Sequence, residues 1–165
     1  MMTTLVIDYV PEILFLWVLA NQSGVPLPVV PAILEAGAVS RGAGDVASVV
    51  AIVVGAALCA DVAWYGVGRV SGARALNSSR RFRWTSRAME RVANLSPMHL
   101  AAVLISARFL PEANPVAAGL AGASRTTPGR YLLYAIGTSV IWASTWTAIG
   151  YVLGAMTWDR ITTTW

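Results

Sequence analysis

Lysine is absent from this chain, and the residues most often used in metal and covalent chemistry are scarce. All twelve basic residues among the 165 are arginine, while histidine and cysteine occur once each, as His99 and Cys59. One histidine and one cysteine exclude a multi-histidine metal site and a recognisable zinc pattern, and a single cysteine forms no internal disulfide. We therefore predict no bound metal and no cofactor.

Charge of either sign is also scarce. Charged residues make up 12% of the chain, whereas a soluble domain carries about 25%. Hydrophobic residues make up 56%, and the mean hydropathy is +0.62. In a bilayer, helices satisfy their own backbone hydrogen bonds, so no large water-shielded core is needed. The sequence predicts an all-α integral membrane protein with a single membrane domain, 1–165.

The amino-terminal apolar stretch has no basic residue ahead of it, since the first one in the chain is Arg41. A secretory signal begins with a basic region, so we expect residues 5–20 to be retained as an N-terminal helix. Asp8, Pro11 and Glu12 interrupt this stretch. Two interpretations stay open, a marginal first span and a helix lying at the membrane interface.

Two later stretches are long enough to cross a bilayer, for which about 20 residues suffice. Residues 46–68 contain one acid, Asp61, near their end, and residues 131–156 contain no charge. We predict transmembrane helices over 46–68 and 130–156.

Two other apolar stretches, 24–41 and 98–123, are broken by proline and charge. The interrupting residues are Pro26, Pro28 and Pro31 in the first, and Arg108, Pro111, Glu112 and Pro115 in the second. Proline removes a backbone donor and bends or ends a helix. We predict re-entrant hairpins, which enter the membrane and return on the same side; the alternative is a kinked but complete helix in each case.

The connection 69–91 holds seven of the twelve arginines, opposed only by Glu90. The positive-inside rule predicts that it is cytoplasmic. Its arginines recur at helical spacing opposite Phe82, Met89 and Val92, which predicts an amphipathic helix on the membrane surface over 74–95. The alternative is a solvated linker. Its apolar flanks favour lipid phosphates over nucleic acid as partners.

The two halves of the chain share a pattern. The shift that brings Gly55 onto Gly137 also brings Trp64 onto Trp146, Gly68 onto Gly150 and Gly72 onto Gly154. Each half is then a hairpin followed by a span. Because a hairpin does not change sides, the second span runs opposite to the first, and the repeat is inverted, as in many transporters.

Three motifs now carry a family resemblance: Gly-Val-Pro-Leu-Pro at 24–28, Asp-Val-Ala-Trp-Tyr-Gly-Val-Gly-Arg at 61–69, and Ala-Arg-Phe-Leu-Pro at 107–111. Over residues 14–156 the chain resembles the DedA family, also called VTT-domain or SNARE-associated membrane proteins. The resemblance implies paired re-entrant hairpins in the bacterial plasma (inner) membrane. It also implies movement of lipids such as undecaprenyl phosphate and phospholipids between leaflets, with proton-motive force implicated in some members.

The candidate substrate-binding residues are Arg108, Asn114 and Asn21. An arginine in an apolar stretch usually lines a cavity or has a partner, and its planar guanidinium suits phosphate. Asn21 stands where the family pattern has an acid, and Asn114 where it has a second arginine. Both amides can bind a polar head group without charge, or they simply cap broken helix ends.

The candidate proton-coupling or ion-pairing residues are Glu112, Asp61 and Glu35. Glu112 follows Arg108 closely, so the pair can also serve only to hold the hairpin in shape. Asp61 and Glu35 could each pair with an arginine of the other repeat, and Asp61 could instead tie to Arg69.

These residues support a membrane transporter rather than an enzyme, acting on membrane lipids with anionic head groups. The second interpretation is a non-transporting interaction protein that keeps the scaffold. A lipid-phosphate hydrolase would have only Arg108, Glu112 and His99 to use. The pairs Gly68/Gly72 and Gly150/Gly154 are compatible with contacts within one chain or in a homo-oligomer.

The inverted topology predicts that single cysteines placed in 80–91 and beside Arg125, in a Cys59→Ser background, are labelled only from the cytoplasmic side. Membrane-impermeant maleimides on inside-out and right-side-out vesicles measure this. Labelling of the two regions from opposite sides would make 98–123 a complete span and contradict the inverted repeat.

Overall fold

The computed structural model describes residues 10–77, 102, 104, 106–108, 113–124 and 126–162, and the regular structure in these residues is entirely helical. Residues 102, 104 and 106–108 are helical, ahead of a further helix. The five complete helices are α1 (Val10–Gln22), α2 (Val29–Ala38), α3 (Ala43–Asn77), α4 (Ala113–Ala123) and α5 (Pro128–Thr162).

Two of these helices, α3 and α5, are long and apolar enough to cross a membrane, over Ala43–Val70 and Pro128–Thr157. The stretches 46–68 and 130–156 lie inside them. Their outward faces carry large apolar side chains, among them Val62 and Leu133, which is 69% exposed. Water would not tolerate so large an apolar surface, whereas lipid does. The all-helical membrane class predicted from the sequence is therefore confirmed.

The first break in the chain differs in position from the prediction. Residues 24–41 contain one helix, α2, rather than two arms, and the turn at 23–28 separates α2 from α1. Pro31 lies in the first turn of α2, where a missing N–H disrupts no helical hydrogen bond. Gly24 takes φ 103°, a left-handed conformation that favours glycine. The paired short helices are thus α1 and α2.

Three other predicted boundaries also differ. The N-terminal helix, predicted over 5–20, continues to Gln22. Residues 74–77, predicted to begin the amphipathic helix 74–95, form the end of α3, and the rest of that helix lies outside the described residues. Within 98–123, residues 102, 104, 106–108 and α4 are helical, while residues 109–112 at the predicted break are not described.

The short helices α2 and α4 pack on the long helix of the opposite half of the sequence, while α1 packs on α3. The most extensive contacts are those of α4 with α3 and of α2 with α5. Glycine makes both approaches close: a Cβ on Gly68 would overlap the backbone of Gly119, and a Cβ on Gly150 would overlap the backbone of Leu34. Gly68 and Gly150, matched in the sequence repeat, therefore make the same kind of backbone contact.

Two apolar cores result, one at each end of the antiparallel pair α3 and α5. One core surrounds α1 and α2 and includes Val18, Ile33 and Val53. The other surrounds α4 and includes Tyr65, Ala118 and Tyr131. Between the two cores, both long helices place polar side chains inward, and the candidate site lies there.

The glycine contacts predict a sharp difference between two substitutions in α5. Gly150→Ala should destabilise the protein by about 1–3 kcal/mol, because the added methyl meets backbone that cannot rotate away. Gly137→Ala, where a Cβ would meet nothing within 4 Å, should be neutral or stabilising by up to about 1 kcal/mol through helix propensity. Thermal unfolding in one detergent measures both. Equal melting temperatures for the two variants would contradict the close approach of α2 and α5.

Candidate functional site

A buried ion pair lies where the helices meet. The Arg108 Nη2 atom is 2.5 Å from Asp61 Oδ2, and each side chain is 2% exposed. Asp61 is supplied by α3, and Arg108 by the helical segment 106–108 ahead of α4. Within the described part of the chain this is the one ion pair. Two charges taken out of solvent compensate each other here, as buried charges must.

The pair lies deep in the apolar layer. At 1.5 Å per residue, Asp61 is about 14 Å along α3 from Val70, and Ser139 beside it is about 16 Å along α5 from Pro128. Both positions are measured from the same end of the antiparallel pair. The ion pair therefore lies within the length of both candidate membrane spans, away from their ends.

Two amides complete the carboxylate side of the site. Asn114 Nδ2 donates to Asp61 Oδ1 at 2.9 Å and to Gln22 Oε1 at 2.8 Å. Gln22 Oε1 also accepts from Arg108 Nη1 at 3.5 Å. Gln22 is the last residue of α1, and Asn114 is in the first turn of α4. The ends of two short helices therefore meet at the ion pair.

Two hydroxyls of α5 complete the guanidinium side. Ser139 Oγ accepts from Arg108 Nη2 at 2.8 Å, and Thr138 Oγ1 accepts at 3.5 Å. Both hydroxyls donate to the carbonyl of Ala135, at 2.6 Å from Ser139 and 3.1 Å from Thr138. Their protons are thus directed into the helix, and their lone pairs face the arginine.

A pair of stacked tyrosines lies next to the site. The rings of Tyr65 and Tyr131 are 4.4 Å apart between centroids and inclined by 17°. Tyr131 donates to the backbone carbonyl of Asp61 at 3.4 Å, and Tyr65 donates to the carbonyl of Thr126 at 2.8 Å. The stack fixes the backbone that carries Asp61 against the start of α5.

The Arg108 guanidinium has a hydrogen-bond donor that no described residue accepts. Arg108 Nε is buried and has no hydrogen-bond partner among the described residues. The guanidinium carries five N–H donors in a planar fork, and among the described residues its hydrogen-bond partners other than Asp61 are neutral. The arrangement can therefore hold an oxyanion in place of the carboxylate. In the described part of the chain, no group of three His, Cys, Asp or Glu side chains is placed to bind a metal ion.

The structure brings together three of the residues predicted from sequence: Asp61, Arg108 and Asn114. Asp61 pairs with Arg108 of the other half of the chain rather than with Arg69, which is exposed. Asn21 is buried beside the site, but its amide donates to the Leu27 carbonyl at 2.7 Å and so closes the turn.

Two predicted residues are not part of this arrangement. Glu35 is exposed on α2, and its side chain makes none of the hydrogen bonds around Arg108 and Asp61. Glu112 lies outside the described residues, as does His99. Asp61 is the carboxylate that pairs with Arg108 among the described residues, and a contact of Arg108 with Glu112 stays a prediction.

Four contributors were missed by the sequence reasoning: Gln22, Tyr131, Thr138 and Ser139. Gln22 had a signal, because it follows Asn21 as a second amide at the end of an apolar run. Thr138 and Ser139 are adjacent hydroxyls within a chargeless span, a weaker signal. From the sequence alone, Tyr131 is indistinguishable from the aromatic residues that are common at membrane interfaces.

The geometry predicts strong energetic coupling within the ion pair. Asp61→Asn or Arg108→Met should each cost about 3–5 kcal/mol of stability, since each leaves a buried charge without its partner. The double variant should lose less than the sum, by at least about 1 kcal/mol. Reversible unfolding in mixed micelles measures the cycle, with the exposed Glu35→Gln as control. Additive losses would show that the two side chains are not paired.

Comparison with known proteins identifies the family. The VTT domain matches residues 27–152, which include all of α3, most of α5 and the Asp61, Arg108, Asn114, Thr138 and Ser139 side chains of the site. No curated protein and no solved structure matches the chain. The match covers well over half of the sequence. Both the family and the two helices able to span a bilayer agree with a membrane location. The chain belongs to the VTT-domain family, the DedA and SNARE-associated membrane proteins.

Proposed function

We propose that this protein moves an anionic lipid, such as undecaprenyl phosphate or a phospholipid, between the leaflets of the bacterial plasma membrane, with Arg108 binding the lipid phosphate. The observation that carries the proposal is the Arg108–Asp61 pair, buried between the two candidate membrane spans where both halves of the chain meet. Ionisable groups inside a membrane are expensive and usually mark a transport pathway. Membership of the VTT-domain family supports the same activity class.

The phosphate would take the place of the Asp61 carboxylate. Arginine binds phosphate and carboxylate oxygens alike, so a phosphate oxygen can take the position of Asp61 Oδ2 on Arg108 Nη2. Asn114 Nδ2 donates to Asp61 Oδ1, and it can donate to a phosphate oxygen at the same position. Arg108 Nε, without a partner among the described residues, supplies a further donor.

A proton on Asp61 is the switch in this scheme. The ionised carboxylate holds Nη2 and excludes a second anion, whereas the protonated acid no longer competes for the guanidinium. A proton on Asp61 and a phosphate on Arg108 therefore favour each other. By linkage the effect is reciprocal, so lipid binding also promotes proton uptake. Glu112, next to this region in sequence, is proposed as the second proton-linked group.

The scaffold proposed for this exchange is an inverted repeat of re-entrant hairpins, α1 with α2 and the 102–108 segment with α4. Its support is the equivalent backbone contacts of Gly68 and Gly150, and the meeting of Gln22 with Asn114 where the two hairpins approach each other. Transporters of this plan bind substrate at the midplane, beside broken helix ends. The Arg-rich connection 69–91 is then cytoplasmic.

A second candidate, a membrane interaction protein without transport, is favoured by one observation. Every charge of the site is already compensated, and both charged side chains are 2% exposed. An ion pair that only stabilises the fold would also be buried and compensated in this way. The two proposals differ in whether the pair opens to a lipid, which activity measurements decide.

Substitution of Arg108 should separate binding from folding. In proteoliposomes, Arg108→Lys should slow the movement of a fluorescent phosphatidylglycerol about tenfold, because it keeps the charge but loses the bidentate fork. Arg108→Ala should reduce the movement to the protein-free rate. Asp61→Asn should keep movement but lose its dependence on a pH gradient, since an amide mimics the protonated acid and cannot titrate.

The matched control is Arg69→Gln, an exposed arginine on the same long helix as Asp61, which should move lipid at the wild-type rate. Each variant is first checked for folding by its melting temperature and elution profile. Wild-type lipid movement by a well-folded Arg108→Ala variant would contradict the head-group assignment and leave the interaction protein as the better account.

A further inference from the structure

An apolar groove runs along the outside of the two long helices, between residues 43–54 of α3 and residues 140–151 of α5. Its volume is about 600 Å³. Valine and alanine form most of its walls, including Val50, Val54 and Ala148, with Ser144 as an isolated hydroxyl. We call this feature the α3–α5 groove.

A second cavity of about 600 Å³ lies at the end of the bundle where α3 begins. Ser40 and Arg41 of the connection between α2 and α3 line it, and Tyr151 forms a wall of both this cavity and the α3–α5 groove. The groove and this cavity therefore meet at Tyr151, and we call the cavity the mouth of the groove.

Arg41 is the basic residue that lines the mouth, and the acidic Asp45 lies beside it. Arg41 is exposed, and its backbone N–H, not its guanidinium, donates to Asp45 Oδ2 at 2.9 Å. Ser40 Oγ donates to the Ala36 carbonyl at 2.9 Å, which leaves its oxygen lone pairs as acceptors. Asp45 and Tyr151 are the other titratable groups in the described part of this region.

The groove extends along α5 from Tyr151 to Val140, about 16 Å at 1.5 Å per residue. Val140 is 41% exposed, whereas the preceding Ser139 is fully buried and accepts a hydrogen bond from Arg108. The groove therefore lies on the outer face of α5, at the level of the candidate site.

We propose that the α3–α5 groove is a lipid-binding site, which holds one hydrocarbon chain of an anionic lipid while Arg41 binds the phosphate at the mouth. Apolar walls suit the chain, and a guanidinium suits the phosphate. The proposal rests on the proposed function for one further step: the lipid bound here is the one that later reaches Arg108. The groove is then the loading site of the transporter.

Photo-crosslinking tests this site directly. The protein is placed in phosphatidylcholine nanodiscs with a trace of phosphatidylglycerol that carries a diazirine on one acyl chain, or with phosphatidylcholine carrying the same chain. Peptide mapping should find the phosphatidylglycerol probe on 43–54 and 140–151, several-fold above the phosphatidylcholine probe. Arg41→Gln should remove this preference, whereas Arg130→Gln, an exposed arginine at the opposite end of α5, should leave it unchanged.

Substitutions that fill the groove should reduce the crosslinking of both lipid probes. Ala47 and Ala148 are exposed lining residues, so Ala47→Phe and Ala148→Phe should reduce crosslinking several-fold without affecting the core. Ala63→Phe, an exposed change elsewhere on α3, is the control. Equal crosslinking by the two head groups, or an unchanged preference in Arg41→Gln, would overturn the proposal.

Two further measurements separate this proposal from its alternatives. Efficient disulfide formation between copies carrying Ala47→Cys, in a Cys59→Ser background, would show that a second chain covers the groove and would overturn the lipid site. Arg108→Ala should keep the crosslinking pattern. If that variant also keeps lipid movement, the head-group role of Arg108 fails while the α3–α5 groove stands.

Discussion

The ion pair between Arg108 and Asp61 is the constraint on which the arrangement of the helices depends. An arginine at mid-membrane costs roughly 2.5–3.5 kcal/mol even on insertion scales, so the chain must bring it a carboxylate and acceptors. The acid is supplied by α3, the hydroxyls by α5 and the amides by the ends of α1 and α4. One side chain thus fixes the relative positions of four helices, because leaving any of its contacts unmade inside lipid would be unfavourable.

Glycine makes this convergence sterically feasible. Between apolar helices in lipid there is no hydrophobic driving force, and close backbone approach supplies the packing energy. The contact of Gly68 with Gly119 brings α4 onto α3, and the contacts of Gly150 and Gly154 bring α2 onto α5. The short helices α2 and α4 are each held by the long helix of the other half, and the end of α1 meets the start of α4 beside the ion pair. The packing and the polar site are therefore two results of one topology.

Sequence reasoning found what single residues reveal and missed what depends on tertiary contact. Asp61 and Arg108 were identifiable because a charge in an apolar stretch is costly in any fold. Their pairing was one of several alternatives, since Asp61 could pair with an arginine of the other repeat or with Arg69, and Arg108 with Glu112. Ser139 carries no charge and gave no comparable signal. The break was expected at the prolines, and Pro26 and Pro28 do lie in the turn, but the arms of the first hairpin were misplaced because Pro31 in the first turn of α2 does not interrupt a helix.

The buried pair of Arg108 and Asp61 is compatible with transport because the proposed exchange leaves the site electrically neutral. With Asp61 ionised, the site contains one positive and one negative charge and is neutral. In the proposed exchange the proton neutralises Asp61 as a singly charged phosphate arrives at Arg108, so the site again contains one charge of each sign. Burial penalises net charge most severely, and neither state carries any. The barrier to the exchange then lies in separating Asp61 from Arg108, and Asn114, which already contacts Asp61 and Gln22, can donate to either anion throughout.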